Sequence, residues 1–465
     1  MPDICDSWKF NHTQPGFVAY PGCTLLLKFE MLLTTRIFSF GDASAFIMIK
    51  SWCLVFILLT STTLAAQETG WEANSDIIEA SEENRPDFIW RESEVPEYEL
   101  PDLLKARDGS TVSSPEEWSS RRCEILELFR THMFGNRPAA PDRLSFHLVE
   151  KEDEALENRA SMRRISITST VEDRDHQFEL ILFLPAEAKK PVPVFLLMNN
   201  RDSRNTDPHR GEISEFWPVE EVIRRGYGIA AIQNNELAPD DTDHYHEGVI
   251  RLFEGSAAEE ERPPDAWGAL AAWGWGASRV MDYFETNPDV DESRIALLGH
   301  SRGGKASLWA GAEDERFALV ISNQSGAGGA ALSRRRYGET VEAVNRFEHW
   351  FNDHFNAFND REDELPFDQH MLISLLAPRP VYIGSADADL WADPRGEFLS
   401  LVHASGAYEL WNYLPVDPEQ MPALNTSVNF GHRGYHVRSG SHDLNMTDWH
   451  HYMDFADALW LRIGK

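Results

Sequence analysis

Apolar residues occur along the chain in short continuous runs that alternate with segments of helical periodicity. Runs rich in Val, Ile and Leu are typical of strands that are buried on both faces of a parallel sheet. Of the two runs nearest the N-terminus, the first alternates and the second is more continuously apolar. The predicted strands lie at 163–170, 178–185, 191–200, 226–235, 294–300, 317–324 and 379–387.

Helices are predicted before and between these strands. Ser114 is placed to cap a helix that begins with Pro115 and that is closed by Phe134, Gly135 and Asn136. Because strands and helices alternate, the expected fold class is α/β: a doubly wound, mostly parallel sheet with helices on both faces, in one domain over 95–465. Further helices are predicted at 219–226, at 266–284, and from about Thr447.

The N-terminal residues differ in character from this domain. At 48–66 a lysine, an apolar run and small residues predict a secretory signal peptide, cleaved after Ala65 or Ala66. The apolar run is too short to span a bilayer, so we expect no stable membrane insertion and a secreted or periplasmic protein. Residues 1–47 are then an upstream extension; the alternative for this region is a buried N-terminal helix. The acidic, proline-containing stretch 67–94 predicts an extended lead-in.

Charge and cysteine content narrow the possible partners. A net charge of −33 argues against nucleic-acid binding, because phosphates would be repelled. Cys123 alone follows the predicted cleavage site, so we expect no disulfide within the mature chain. No Cys/His spacing typical of a metal site is present, and we expect neither a metal nor a cofactor. We expect a monomer.

The strongest chemical motif lies between the predicted strand 294–300 and the helical stretch that follows. There the chain reads Gly299-His300-Ser301-Arg302-Gly303. In a Gly-x-Ser-x-Gly turn the serine has strained backbone angles, and the glycines let the strand and the helix pass closely. This lifts the hydroxyl above the sheet, at a helix N-terminus that favours an oxyanion. The motif in this context predicts a nucleophilic Ser301 in a fold of the α/β-hydrolase type; the alternative is a tight turn without chemistry.

A serine nucleophile needs a base and a carboxylate that orients the base. His442 lies in a loop just before the last predicted helix and is our candidate base, whereas His300 should point away from the serine and His436 should be packed. For the acid we choose Asp389, which follows a buried strand, with Asp387 as the alternative. The nearby Asp393 is expected instead to cap a helix that starts at Pro394.

Two cationic residues lie one and four residues after the serine, about one helical turn apart. Arg302 and Lys305 would be ordinary solvated or salt-bridged helix residues in most proteins. Beside a nucleophile, two positive charges instead suggest an anionic or strongly polar acyl group, or a clamp for a charged oxyanion.

Four stretches of the chain together resemble the glucuronoyl esterases, carbohydrate esterase family fifteen, and particularly its bacterial members. The similarity runs from about residue 100 to the C-terminus, and its block at Gly299–Gly329 is far more specific than Gly-x-Ser-x-Gly alone. The resemblance implies an α/β-hydrolase fold and metal-free hydrolysis of the ester between 4-O-methylglucuronic acid on xylan and the alcohols of lignin. The stretches are GHSRGGKASLWAGAEDERFALVISNQSGAGGAALSRRRYGETV, LPFDQH, LLAPRP and DADLWADPRGEF.

The resemblance also implies the catalytic roles. Ser301 matches the nucleophile, His442 the base, and Arg302 the arginine that helps to hold the oxyanion. One departure matters: fungal relatives carry the triad glutamate where this chain has Gln324, and an amide cannot stabilise an imidazolium as a carboxylate does. The resemblance implies that bacterial relatives with this change use an aspartate after the later strand instead, which supports Asp389.

Three further positions are implied to bind the sugar. Lys305 matches a lysine that bonds sugar hydroxyls, Glu339 matches a sugar-binding Gln or Glu, and Trp391 matches the tryptophan that lines the uronate pocket. The implied substrate is glucuronoxylan or a lignin–carbohydrate ester. The alternatives are an acetyl xylan esterase or general carboxylesterase on the same fold, and a non-catalytic carbohydrate-binding protein that has kept the fold.

Overall fold

A single sheet organises the part of the chain that the structure describes. The computed structural model describes residues 70–189, 191–259 and 262–460. Its strands are β1 (Arg143–Glu154), β2 (Ala160–Val171), β3 (Arg174–Pro185), β4 (Val192–Asn199), β5 (Gly228–Gln233), β6 (Val290–His300), β7 (Leu319–Asn323), β8 (Val381–Ala386), β9 (Thr426–Asn429) and β10 (Arg433–Arg438).

Strand order and direction match the predicted fold class. The order in the ten-stranded sheet is β1-β2-β3-β5-β4-β6-β7-β8-β10-β9. Pairing is antiparallel from β1 to β5 and between β9 and β10, and parallel throughout from β5 to β10. The carboxyl ends of β6, β7, β8 and β10 therefore lie at one edge of the sheet, which is where ligands bind in open α/β sheets. The predicted α/β class with a mostly parallel sheet is confirmed.

Helices cover both faces of this sheet. The α-helices are α1 (Ser75–Asn84), α2 (Pro115–Phe129), α3 (Ala155–Asn158), α4 (Val219–Arg224), α5 (Asn234–Leu237), α6 (Val249–Glu254), α7 (Ala269–Phe284), α8 (Arg302–Glu313), α9 (Val341–Asn345), α10 (Gln369–Ser374), α11 (Pro394–His403), α12 (Ser405–Glu409) and α13 (Met446–Trp460).

Two apolar cores explain why the central strands read as continuous apolar runs. In β4, Leu196 belongs to the larger core and Leu197 to the smaller one, because successive side chains point to opposite faces. Leu297 and Leu298 divide in the same way in β6. Helices α2, α7, α8, α10 and α11 pack in the larger core, whereas α4 and α13 pack in the smaller one.

The predicted strands and helices are present, with some corrected bounds. Ser114 caps α2, its hydroxyl oxygen accepting a hydrogen bond from the N–H of Glu117 at 3.2 Å. A π-helical turn at Arg130–Phe134 continues α2 to Gly135, whose φ is 83°. The helix expected at 266–284 begins only at Ala269, so Trp267 precedes it. Prediction missed β1, β9 and β10. β10 was hidden by its polar residues, because His436 and Arg438 are buried and are satisfied there by the carboxylate of Asp448.

The expectation of an extended acidic lead-in at 67–94 is wrong where a helix lies within the described residues. Residues 75–84 form α1, which Asn74 caps by accepting a hydrogen bond from the N–H of Asp76 at 2.8 Å. Trp71 and Trp90 on either side of α1 are buried in the larger core. Two buried tryptophans are enough to anchor this segment while its other residues face water. Its composition is therefore mostly acidic, which does not predict the packing.

The predictions about the N-terminal extension and signal peptide at 1–66 fall outside the described residues. Cys123 is disulfide-bonded. The expectation that the mature chain contains no internal disulfide depends on cleavage after Ala65 or Ala66, so it stays a prediction. Across the helices of residues 70–189, 191–259 and 262–460, none is both long and apolar enough to cross a bilayer.

Candidate active site

Ser301 occupies a strained turn at the junction of β6 and α8. Its φ of 57° and ψ of −128° lie outside the regions that a side-chain-bearing residue prefers. The turn is held because the Ser301 N–H donates to Asn323 O at 2.8 Å and the Gly304 N–H donates to Ser301 O at 2.8 Å. At Gly299 a Cβ would lie 2.0 Å from Gly303 O, so this close crossing of strand and helix requires glycine.

His442 is paired with Asp389. Its Nδ1 lies 2.6 Å from Asp389 Oδ2, and the carboxylate is buried directly after β8. The alternative acid, Asp387, accepts a hydrogen bond from the backbone N–H of Gly440 at 2.8 Å. Asp393 caps α11 through the N–H of Gly396 at 2.9 Å, as expected. The structure therefore brings Asp389 to the imidazole and uses the two neighbouring aspartates to hold the backbone.

The two other histidines considered from the sequence are engaged elsewhere. His300 Nδ1 lies 2.6 Å from Asn323 Oδ1, and His300 Nε2 accepts from Arg201 at 3.3 Å. Burial, with the charges of His442 and Arg201, holds the pKa of His300 well below its usual value, so the ring is neutral. Its centroid is 4.5 Å from that of His442, which places the candidate base beside the turn that carries Ser301. His436 is packed inside the fold.

The loop that carries His442 is fixed through the next residue, Asp443. Gln324 donates to Asp443 O at 2.8 Å and accepts from the Asp443 N–H at 3.0 Å. Arg438 donates to the same carbonyl at 2.7 Å, and Arg201 pairs with the Asp443 carboxylate at 2.7 Å. An amide can both donate and accept, whereas a carboxylate could not make the first bond. The residue that departs from the fungal pattern thus positions the base instead of orienting it by charge.

The three predicted sugar-binding residues are joined to one another. The buried ammonium of Lys305 donates to Glu339 Oε2 at 2.7 Å, to Ser325 O at 2.8 Å, and to Ala327 O. Trp391 Nε1 donates to the other carboxylate oxygen of Glu339 at 3.2 Å. All three ammonium protons are therefore in use, and Lys305 acts on its surroundings mainly by orienting and neutralising Glu339.

Arg302 is held by a carboxylate that the sequence analysis missed. Its Nε donates to Asp240 Oδ2, and its Nη2 donates to Asn200 O at 3.1 Å. The second oxygen of Asp240 accepts from His349 at 2.9 Å and from the indole of Trp350 at 2.8 Å. Burial alone would raise the pKa of Asp240, but these donors and Arg302 hold it below its usual value. Asp240 gave no sequence signal because it follows a short helix rather than a recognisable motif.

A second buried carboxyl group, Glu397, lies behind the candidate acid. One oxygen accepts from the N–H groups of Ser325 at 2.8 Å and Gly326 at 3.1 Å, and the other is 2.5 Å from the hydroxyl of Ser385. Complete burial is the main cause that raises the pKa of Glu397 to about 8, and the negative charge of Asp389 acts in the same direction. Glu397 is therefore protonated at neutral pH, which avoids a second negative charge next to Asp389.

Within the described ranges, no group of three or more His, Cys, Asp or Glu side chains is arranged to hold a metal ion.

Comparison with known proteins identifies the relatives of this chain. A family model described as glucuronyl esterase of fungi matches residues 167–414. A carbohydrate esterase named MZ0003, from an unknown prokaryotic organism, is 38% identical over 434 residues, which is 87% of this chain and 97% of that protein. The 4-O-methyl-glucuronoyl methylesterase of Schizophyllum commune is 28% identical over 329 residues, or 67% of this chain and 73% of that protein.

A solved structure is similar over its whole length and over most of this chain. The glucuronoyl esterase from Solibacter usitatus superposes with a TM-score of 0.74 at 40% sequence identity, covering 79% of this chain and 100% of that one.

The protonated state of Glu397 has a consequence for stability. An unfolded glutamate ionises near pH 4.5, whereas Glu397 in the fold keeps its proton up to about pH 8. Between these values the unfolded chain binds fewer protons than the folded one, so the free energy of unfolding falls as pH rises through this window. Glu397→Gln keeps a neutral amide there, and we expect the variant to lose less stability than the wild type between pH 5 and 8, by a few kcal/mol.

Urea unfolding at several pH values measures this difference, and Glu409→Gln, on an exposed helix end, is the matched control. Parallel pH profiles for the wild type and Glu397→Gln would show that Glu397 is ionised in the fold.

Proposed function

The chain belongs to the glucuronoyl esterase family, and we propose that it hydrolyses the ester that joins (4-O-methyl)glucuronic acid on xylan to an alcohol of lignin. The observation that carries this proposal is that the residues proposed for catalysis and those proposed to bind the sugar are neighbours in the chain and are joined by hydrogen bonds. Lys305 lies one turn along α8 from Ser301, and its N–H donates to Ser301 O at 3.1 Å. Trp391 follows Asp389 by two residues, and Glu339 joins Lys305 to Trp391. The proposed nucleophile and the polar and aromatic side chains proposed to bind the sugar are thus linked through α8 and the loop after β8.

The proposed reaction has two steps. The hydroxyl oxygen of Ser301 attacks the ester carbonyl while His442 takes the hydroxyl proton, and Asp389 stabilises the imidazolium. The tetrahedral intermediate collapses, the alcohol leaves with the proton from His442, and the uronoyl group stays esterified to Ser301. Water, deprotonated by His442, then releases the uronic acid and restores the serine.

Charge is stabilised where it develops. The carbonyl oxygen becomes an oxyanion in both steps, and Arg302 is proposed to donate to it while its Nε stays on Asp240. Glu339 is proposed to accept hydrogen bonds from ring hydroxyls, because Lys305 and Trp391 orient both of its oxygens. The ring of Trp391 is proposed to form the wall against which the sugar lies.

We also propose export from the cell and action as a monomer. Export rests on the signal-peptide pattern at 48–66, together with a substrate that is part of the plant cell wall.

Hydrolysis of the methyl ester of glucuronic acid, compared with 4-nitrophenyl acetate, tests the substrate class. We expect turnover of the uronate ester, abolished by Ser301→Ala because the nucleophile is lost. Turnover of the acetate alone would favour the acetyl or general carboxylesterase alternative. Turnover of neither ester would favour the non-catalytic carbohydrate-binding alternative.

The two aspartates after β8 provide a matched pair of variants for the triad acid. Asp389→Asn removes the charge that faces His442, and we expect kcat to fall by about three to four powers of ten. Asp387→Asn keeps an oxygen that can accept from the N–H of Gly440, so we expect kcat within about twofold of wild type. Kinetics on the uronate ester measure both; a larger loss in Asp387→Asn would contradict the assignment.

A second matched pair tests the arginine. Asp240→Asn removes the charge that holds Arg302, and we expect kcat to fall about tenfold or more with little change in KM, since the oxyanion forms only in the transition state. The neighbouring Asp241 is exposed and bonds His244, so Asp241→Asn should behave as wild type. An unchanged kcat in Asp240→Asn would rule out this means of holding the oxyanion.

A further inference from the structure

A segment that precedes the family-model match at 167–414 lies against Trp391 and the backbone before Glu339. This 85–92 segment comprises residues 85–92. It runs from the end of α1 alongside the part of the chain that leads into Glu339. Ile89 forms a parallel bridge with Tyr337, and the Gly338 N–H donates to Ile89 O at 2.9 Å. The hydroxyl of Tyr337 donates to Trp90 O at 2.7 Å. The segment therefore supports the backbone immediately before Glu339.

The same segment surrounds the ring of Trp391. The guanidinium carbon of Arg85 lies 3.9 Å from the ring centroid, over its face. Phe88 meets the ring edge to face, with centroids 4.8 Å apart, and the Trp90 ring is tilted at 5.9 Å. One cation and two aromatic rings thus restrict the orientation of an indole that is itself only partly buried.

Ion pairs fix the segment in this place. Arg91 pairs with Glu82 through two hydrogen bonds of 2.6 and 2.7 Å, which ties the segment to α1. The buried Arg335 donates to Glu92 at 2.7 Å and to Asp393 at 2.8 Å. Arg335 therefore connects the segment to the loops on both sides of the pocket, the one that leads to Glu339 and the one that follows Trp391.

We propose that the 85–92 segment is a positioning element of the uronate pocket, and that Arg85 and Phe88 act by fixing the ring of Trp391. This inference rests on the function proposed above. A fixed ring keeps Trp391 Nε1 on Glu339, and through that bond the carboxylate stays aimed at the sugar. Among the described residues, no hydrogen bond, ion pair or ring contact joins Arg85 or Phe88 to Ser301, His442 or Asp389, and both side chains lie against Trp391. Their loss is therefore expected to weaken sugar binding without slowing the chemical step.

Steady-state kinetics on the methyl ester of glucuronic acid test the proposal. We expect Arg85→Ala to raise KM about two- to fivefold at nearly unchanged kcat, which is the value of one exposed cation–π contact. Phe88→Ala should act in the same direction, and Arg85→Lys should restore much of the loss because it keeps the cation. Arg107→Ala, at an exposed arginine further along the chain, is the matched control and should leave both constants unchanged.

Binding measured without turnover separates this proposal from the function on which it rests. The ester is titrated calorimetrically into Ser301→Ala, with and without Arg85→Ala. Weaker binding in the double variant supports the inference. Equal binding, or a fall in kcat with KM unchanged, overturns it while the esterase assignment stands. An active uronate esterase whose Arg85→Lys variant is as impaired as Arg85→Ala would also overturn the role of the cation. If the wild type does not turn over the ester and the Ser301→Ala variant does not bind it, the proposed function and this inference both fail.

Discussion

The close crossing of β6 and α8 at Ser301 is the constraint on which the rest of the site depends. The crossing leaves no room for a Cβ at Gly299 and forces Ser301 into a backbone conformation of positive φ. Strain of this kind persists only where the surroundings determine it fully. Here Asn323, from the adjacent β7, accepts the Ser301 N–H, and buried apolar strands hold β6 and β7 in register. The rigid sheet beneath it thus holds the partly buried candidate nucleophile in place.

Parallel pairing then brings the other groups to the same edge. Gln324 follows β7, Asp389 follows β8, and His442 follows β10, so each loop leaves the sheet beside Ser301. The candidate acid, Asp389, follows the strand next to the one that precedes Gln324, and the amide of Gln324 fixes the backbone after His442. Gln324 and Asp389, at neighbouring strand ends, thus both contact the loop that carries His442.

Charge inside the site is arranged so that each buried group has a partner. Lys305 neutralises Glu339, Asp240 neutralises Arg302, and Asp389 stays available to His442. Glu397 lies close enough to Asp389 to be repelled by it and keeps its proton. An unpaired buried charge would be costly, so these pairings are as much a condition of folding as of chemistry.

By itself the sequence determined the fold class, the strained serine turn, the histidine in the last loop and the cap of α2, because each is a local pattern of apolar period, glycine spacing or capping residue. It left Asp389 and Asp387 open, since two residues on one loop differ only in which of them meets the imidazole. The tertiary structure decided this, and it alone revealed Asp240 beside Arg302, Gln324 beside Asp443 and Arg85 over Trp391. These contacts join residues far apart in the chain. The acidic residues before residue 95 and the polar residues of β10 also led to the wrong prediction, because their composition is typical of exposed segments. Packing between distant segments leaves no periodic signal in the chain, so only the assembled fold shows which polar side chain meets which partner.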